Sequence, residues 1–232
     1  MKAIILAAGK SSRLYPLTID KPKGLLKVNG IPIIDRLVNQ FRQNGIEEII
    51  IVVGYMQEKY IKHFGKNVKF IFFPDFADTN NLSTLWHIRQ ELNDDVLISF
   101  SDLYLDSRIV KNLVLSNDMF TFAIDTSRVL SGTMPIESSG RILKSITSTN
   151  LQDANGNFIG ISKISKTACI FLIEQMSKMN PESSQLYYTS AINELLIKSH
   201  IVNCIDFKKY KWTEIDTQEE YIALINSAEL FT

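Results

Sequence analysis

Short apolar runs rich in Ile, Val, Leu and Phe recur at residues 3–6, 48–53, 69–73, 96–100 and 119–124, and each predicts a strand. The segments between them carry apolar residues at helical spacing. This alternation predicts an α/β fold: a single-domain, Rossmann-like, mainly parallel sheet with helices on both faces. The first helix is well punctuated, with Pro32 at its first turn, an apolar stripe of Ile33, Ile34, Leu37, Val38 and Phe41, and Gly45 as its stop. Asn80 or Asn81 can cap the next, with Leu82, Leu85, Trp86 and Ile88 facing inward, before the strand that leads to Asp102. Residues 126–163 break the rhythm, being rich in Ser, Thr, Gly and Asn, with strand-like pieces at 142–146 and 158–161. They read as a small β-rich insertion lying over the sheet. Helical spacing returns at 166–179 and 186–199, followed by a strand at 211–215 and a helix after Thr217.

Composition narrows the class of partner. In 232 residues, Lys plus Arg and Asp plus Glu both total 25, so there is no overall field to attract nucleic acid or an anionic membrane. Any anion site is local. Cys169 and Cys204 lie in separate apolar stretches without metal-ligand spacing, which suits reduced core thiols. The opening MKAIILAAG is too short an apolar run for a membrane span or secretory signal, and the expected location is cytoplasmic. The last helix, with Tyr221, Leu224, Ile225 and Leu230, can pack on its own sheet or on a second copy, so monomer and homodimer both stay open.

In an open α/β sheet ligands sit beyond the carboxyl ends of the strands, so the residues following each strand carry the chemistry. After the first comes ILAAGKSSRLYPLT, where Gly9 permits a tight turn and the amides of Lys10, Ser11 and Ser12 can converge on phosphate oxygens. Between Met1 and Lys27 there are six basic residues and one acid, Asp20, an excess that favours a polyphosphate. Arg13 can grip an oxygen pair as a planar fork and Lys23 can act as a point charge, whereas Lys2, Lys10 and Lys21 read as solvated. Asp102 follows the run VLISF, and WTEIDT places Trp212, Glu214 and Asp216 on one strand face. Each carboxylate has a structural alternative: a helix cap at Asp102, and a cap at Asp216 or Thr217.

Together these residues resemble the nucleotidyltransferase superfamily that makes activated sugars and alcohols, above all its CTP:phosphocholine cytidylyltransferase-like branch. The resemblance rests on ILAAGKSSRLYPLT with KPKGLLKVNG, VVGY after a strand, TNN before a helix, the strand ending in SDLYL, and WTEIDTQEEY. It implies that Gly9, Ser11, Ser12 and Arg13 surround the triphosphate of CTP, that Lys23 neutralises phosphate charge, and that the backbone at Leu6, Ala7 and Ala8 meets the base. Arg13 and Lys23 would be the catalytic side chains, and Asp102 and Asp216 would carry Mg²⁺. Asn81, Thr84, Gly54 and Tyr55 match positions near the nucleotide. Ser11 departs from the glycine that many members have there.

The implied reaction is transfer of a cytidylyl group to a small phosphorylated or phosphonylated alcohol or amine, of the phosphocholine or 2-aminoethylphosphonate type, for cell-surface polysaccharide precursors. Residues 126–163 then become the acceptor region. Lys163 or Lys144 would hold the acceptor phosphate and Glu137 or Asp153 its ammonium, while Tyr187, Tyr188 and Trp212 are open to being either a cage or core. Between Phe122 and Phe171 the only aromatic is Phe158. None of the three histidines is expected to act. A sugar-1-phosphate nucleotidylyltransferase using UTP or dTTP is the alternative, although the remainder after Asp216 is short for its usual elaboration. A non-catalytic nucleotide-binding module is the other. An oxidoreductase would need a G-x-G-x-x-G that is absent.

Overall fold

Side chains of the first strand, β1 (Lys2–Ala7), alternate between two apolar layers, with Ile4 and Leu6 in one and Ala3, Ile5 and Ala7 in the other. A sheet covered on both faces follows from that pattern. In the computed structural model, which describes residues 1–130, 132–147 and 152–231, the chain continues through a short hairpin of β2 (Lys27–Val28) and β3 (Ile31–Pro32). Next come α1 (Ile33–Gln43), β4 (Glu48–Val53), α2 (Gln57–Phe64), β5 (Lys69–Phe72), α3 (Asn81–His87), β6 (Val96–Phe100), β7 (Leu103–Leu105) and α4 (Ser107–Leu115). The second half adds β8 (Phe120–Asp125), β9 (Met134–Ser139), β10 (Ile142–Ile146), β11 (Gly156–Ile164), α5 (Lys166–Ser177), α6 (Tyr188–Ile197), β12 (Asn203–Asp206), β13 (Trp212–Glu214) and α7 (Gln218–Ser227).

Nine strands form one sheet in the order β5-β4-β1-β6-β11-β8-β12-β10-β9. The run β5-β4-β1-β6 is parallel throughout. Beyond it the sheet is mixed, because β11 runs antiparallel to both β6 and β8 while β12 is parallel to β8. The expectation of a mainly parallel sheet therefore holds for one half only. Side chains of α1, α2 and α4 pack on one face and those of α3, α5 and α6 on the other.

Residues 126–163 need correcting in placement. They do not lie over the sheet: β9 and β10 extend its edge, and β11, buried along its length, runs through its middle. Residues 131 and 148–151 of that region are outside the described ones. At Gly160 the backbone takes φ +85°, the pairing with β8 shifts register between Phe158 and Ser162, and a Cβ would lie 2.8 Å from Leu103. Only glycine relieves both constraints.

β13 stands outside the main sheet and pairs antiparallel with β7 alone. Around this pair a third apolar cluster gathers Leu14, Leu26, Ile33, Tyr104, Ile215, Leu224 and Phe231. α7 thus packs on its own chain, with Leu224 buried and the Tyr221 hydroxyl donating to the Lys27 carbonyl at 2.7 Å. It is capped by Thr217 in a reciprocal arrangement with Glu220.

Candidate active site

The loops after β1, β5 and β6 leave the sheet at the same edge and enclose a cleft of about 480 Å³. Its first wall runs from Leu6 to Arg13. A Cβ at Gly9 would meet nothing within 4 Å, so glycine there leaves the backbone open to close approach from the cleft. Ser11 sits at φ 53°, a left-handed conformation that accounts for a preference for glycine at this point. It is held there by Thr18 Oγ1 and Leu14 N, which both donate to its carbonyl at 2.9 and 3.1 Å. Leu14, fully buried, anchors the loop in the third apolar cluster.

At the floor, Lys23 Nζ donates to Asp102 Oδ2 at 2.5 Å and to Asp216 Oδ1 at 2.7 Å, and Arg13 approaches Asp216 Oδ2 at 3.0 Å. The sequence separations of 79 and 193 residues are closed by glycine as much as by charge. A Cβ at Gly24 would lie 2.8 Å from the Tyr60 hydroxyl and 3.3 Å from the Ser101 carbonyl, so Lys23 reaches the carboxylates only because its neighbour has no side chain. Neither aspartate is a helix cap. That role belongs to Asp106, whose side chain accepts from Arg108 N, and to Thr217.

Burial works to lower the Lys23 ammonium, but the charges of Asp102 and Asp216 outweigh it and hold its pKa above the ordinary value. Asp216 is the mirror case: burial pushes its carboxyl up, and Lys23 and then Arg13 bring it below the usual range. Glu214, lining the same cleft, goes the other way, raised well above the ordinary carboxylate by burial and then by the charges of Asp102 and Asp216. In this cleft the buried Asp102 Oδ1 has no hydrogen-bond partner among the described residues. An unmatched carboxylate oxygen beside a second carboxylate suits a hard cation that takes one or two carboxylates and completes its shell with phosphate and water, so the residues fit Mg²⁺. Among the described residues there is no cluster of three or more His, Cys, Asp or Glu side chains of the kind that would enclose a metal unaided.

The remaining walls were only partly foreseen. Asn81 and Thr84 line the cleft as expected. Asn80 caps α3, and Asn81 Oδ1 accepts from Tyr188 N at 2.7 Å, which fixes its amide at the rim. Phe76, Ala77 and Thr79 in the loop after β5, Phe100 and Ser101 at the end of β6, and Gly132, Thr133, Met134 and Tyr187 also line it. Of these, Phe76 and Ser101 follow strands and were open to the same reasoning that found Asp102. The segment 132–134 carries no such signal.

Several expected residues lie elsewhere. Gly54 and Tyr55 support the first wall from behind: a Cβ at Gly54 would sit 2.7 Å from the Ala8 carbonyl, which accepts from Tyr55 N at 3.0 Å. Lys163, buried on β11, pairs in register with Leu97 near the start of β6, the opposite end from Asp102, and donates to the Ser116 carbonyl. It cannot hold an acceptor in the cleft. Glu137 is on β9 opposite Ser145 of β10, outside the lining. Tyr188 is fully buried, its hydroxyl 3.0 Å from Ser162 Oγ, and its neighbour Tyr187 lines the cleft instead. Trp212 Nε1 donates to Asp125 Oδ2 at 2.8 Å. His63 pairs with Asp35, His87 packs on Phe73 and His200 on Phe171, and none of them lines the cleft.

Comparison with known proteins places this geometry in context. A family model described as "MobA-like NTP transferase domain" matches residues 3–126. The chain is 38% identical over 124 residues to choline-phosphate cytidylyltransferase of Streptococcus pneumoniae, covering 52% of this chain and 53% of that protein. It is 25% identical over 198 residues to the bifunctional protein GlmU of Methanococcus maripaludis, covering 84% and 47%. The chain thus spans about half the length of the curated relatives it matches. Among solved structures, that of the CTP:phosphocholine cytidylyltransferase LicC from Streptococcus pneumoniae superposes with a TM-score of 0.84 at 25% identity, covering 98% of both chains.

Proposed function

The chain belongs to the MobA-like NTP transferase domain family, and from that premise we propose that it transfers a cytidylyl group from CTP to a small phosphorylated or phosphonylated alcohol or amine. The observation that carries the reading is the single floor on which Lys23 joins Asp102 and Asp216, with the Gly9–Arg13 segment as adjoining wall. Likeness to a choline-phosphate cytidylyltransferase supports the choice of nucleotide and acceptor. The aromatic rings of Tyr187 and Phe100 in the cleft lining suit an acceptor bearing an ammonium group.

An acceptor oxygen attacks the α-phosphorus of CTP, the bond to the bridging oxygen breaks, and pyrophosphate leaves in line with the entering group. No covalent intermediate with the protein is needed. The leaving pyrophosphate lies against residues 9–13, where Arg13 and the loop amides take up its charge. Lys23 offsets charge on the transferring phosphoryl oxygens. Asp102 and Asp216 are the residues that would hold Mg²⁺, which when bound supplies Lewis-acid polarisation of the α-phosphate. The residues that do this stand in the loops after β1, β6 and β13 and in the turn before β2, so positioning and charge neutralisation are the protein's share of the work.

A sugar-1-phosphate nucleotidylyltransferase is the second reading, favoured by the likeness over most of the chain to a bifunctional sugar-1-phosphate nucleotidylyltransferase/acetyltransferase of Sulfurisphaera tokodaii. Pyrophosphate release from CTP, UTP, ATP, GTP and dTTP with Mg²⁺, each against phosphocholine, 2-aminoethylphosphonate, glycerol phosphate and sugar 1-phosphates, separates the two. Release confined to CTP and one small acceptor is the expected result. Preference for UTP or dTTP with a sugar phosphate would replace the first reading by the second, and nucleotide binding without turnover would point to a non-catalytic module. No helix among the described residues is long and apolar enough to cross a membrane, and both cysteines are buried and free, which supports a cytoplasmic reaction.

A further inference from the structure

Asn157 is a fully buried amide that the transfer chemistry does not use. It stands near the start of β11, opposite Asp125 of β8 on one side and Pro135 of β9 on the other. The loop joining β8 to β9 therefore has one foot on each side of it. Among the described residues three side-chain bonds of Asn157 go to that loop: Oδ1 accepts from Leu130 N at 2.9 Å and Thr133 Oγ1 at 2.8 Å, and Nδ2 donates to the Arg128 carbonyl at 2.6 Å. A buried amide costs stability unless its donors and acceptors are met, so this arrangement exists as a set or not at all.

The near foot is tied down separately. Asp125 Oδ1 accepts from Ser127 N at 2.7 Å, and Asp206 accepts from Thr126 N and Oγ1 at 3.2 and 2.5 Å. The other oxygen of Asp125 accepts from Trp212 on β13, the strand that carries Glu214. At the far foot, Gly132, Thr133 and Met134 line the cleft on the side of β6 turned away from β1. In-line displacement places the entering oxygen opposite the leaving pyrophosphate. With pyrophosphate over residues 9–13, the acceptor arrives along the 132–134 side.

We infer that Asn157 is a positioning residue that holds the β8–β9 loop in the shape that presents Gly132, Thr133 and Met134 to the acceptor. The inference rests on the transfer reading above. It demands a split in kinetics: Asn157 governs the KM of the acceptor and leaves the affinity for CTP alone.

Asn157→Ala and Asn157→Leu test it beside the unaltered protein, the leucine keeping most of the buried volume without any hydrogen bond. The readouts are the acceptor KM at saturating CTP and Mg²⁺, the Kd for CTP by calorimetry without acceptor, and amide hydrogen exchange. Both variants should raise the acceptor KM about tenfold while the CTP Kd stays within about twofold. Exchange should quicken in peptides spanning 126–134 and stay unchanged in those spanning 9–14. A leucine variant with normal acceptor KM and normal exchange overturns the inference, because packing alone would then suffice. So does a CTP Kd that rises in step with the acceptor KM, the sign of general loosening. Should the unaltered protein turn over no acceptor, it is the transfer reading that fails, and the exchange of 126–134 still decides whether Asn157 is a clamp.

Discussion

Lys23 is the residue on which most depends, because the buried Asp102, the half-buried Asp216 and the neighbouring Glu214 share its one charge. Lys23→Met should cost about 3 kcal/mol, the penalty for leaving a buried charge without its partner. The sign with pH follows. Without the ammonium, Glu214, already raised by burial and then by its carboxylate neighbours, keeps its proton to higher pH than it does unfolded, so the unfolded chain binds fewer protons and stability falls as pH climbs. Thermal melts should therefore show a larger loss of Tm at pH 8 than at pH 5; an equal loss at both would mean the carboxylates do not sense the lysine. Asp102, Arg13 and Lys23 were legible in the sequence because each follows a strand or a turn in the half where strands are parallel, and Asp216 because it follows the short strand β13. Ser11 was legible both as a loop amide and as a departure from glycine, and its φ of 53° supplies the reason for the departure. Lys163 was misplaced for a geometric reason. The rule that ligands meet the carboxyl ends of strands holds for parallel ones, and β11 is antiparallel, so its beginning, with Asn157, faces the cleft and its end, with Lys163, does not.

At the level of elements, local signals and tertiary contacts agree in the helices and part company in the short strands. α1 has the buried stripe and the terminal Gly45, at φ +79°, that its spacing predicts. β13 was legible as a strand, but its partner β7 was not, since LYL after Asp102 reads equally as the first turn of a helix. That helix starts later, and Asp106 begins it. The Arg108 guanidinium holds the Asp106 carboxyl below the usual range, against a smaller opposing effect of burial, and the Arg108 amide adds to it. Because the folded pKa is depressed, this stabilisation is present above the unfolded value of about 3.9 and is lost as pH falls through the folded one. Asp106→Ala should cost about 1–2 kcal/mol at pH 7. Denaturant titrations at successively lower pH should show the gap closing below about pH 4. A gap that persists there would assign the effect to packing.

Over the whole molecule, chain order and spatial order disagree. β6 and β8 are close in sequence yet are separated in the sheet by β11, which arrives from the second half of the chain and pairs with both. The first 126 residues expressed alone lack the strand that completes both partners, and should show neither a cooperative melt nor the dispersed amide spectrum of the full chain. A cooperative melt of that fragment would show that β6 and β8 can close on each other. The same interleaving bears on how a chain of this architecture can change by recombination. Recombination at the middle of the gene would cut through the centre of the sheet, so the second half of such a chain could not be exchanged as a cassette. Variation is confined to substitutions and loop replacements around a frame that must be inherited entire.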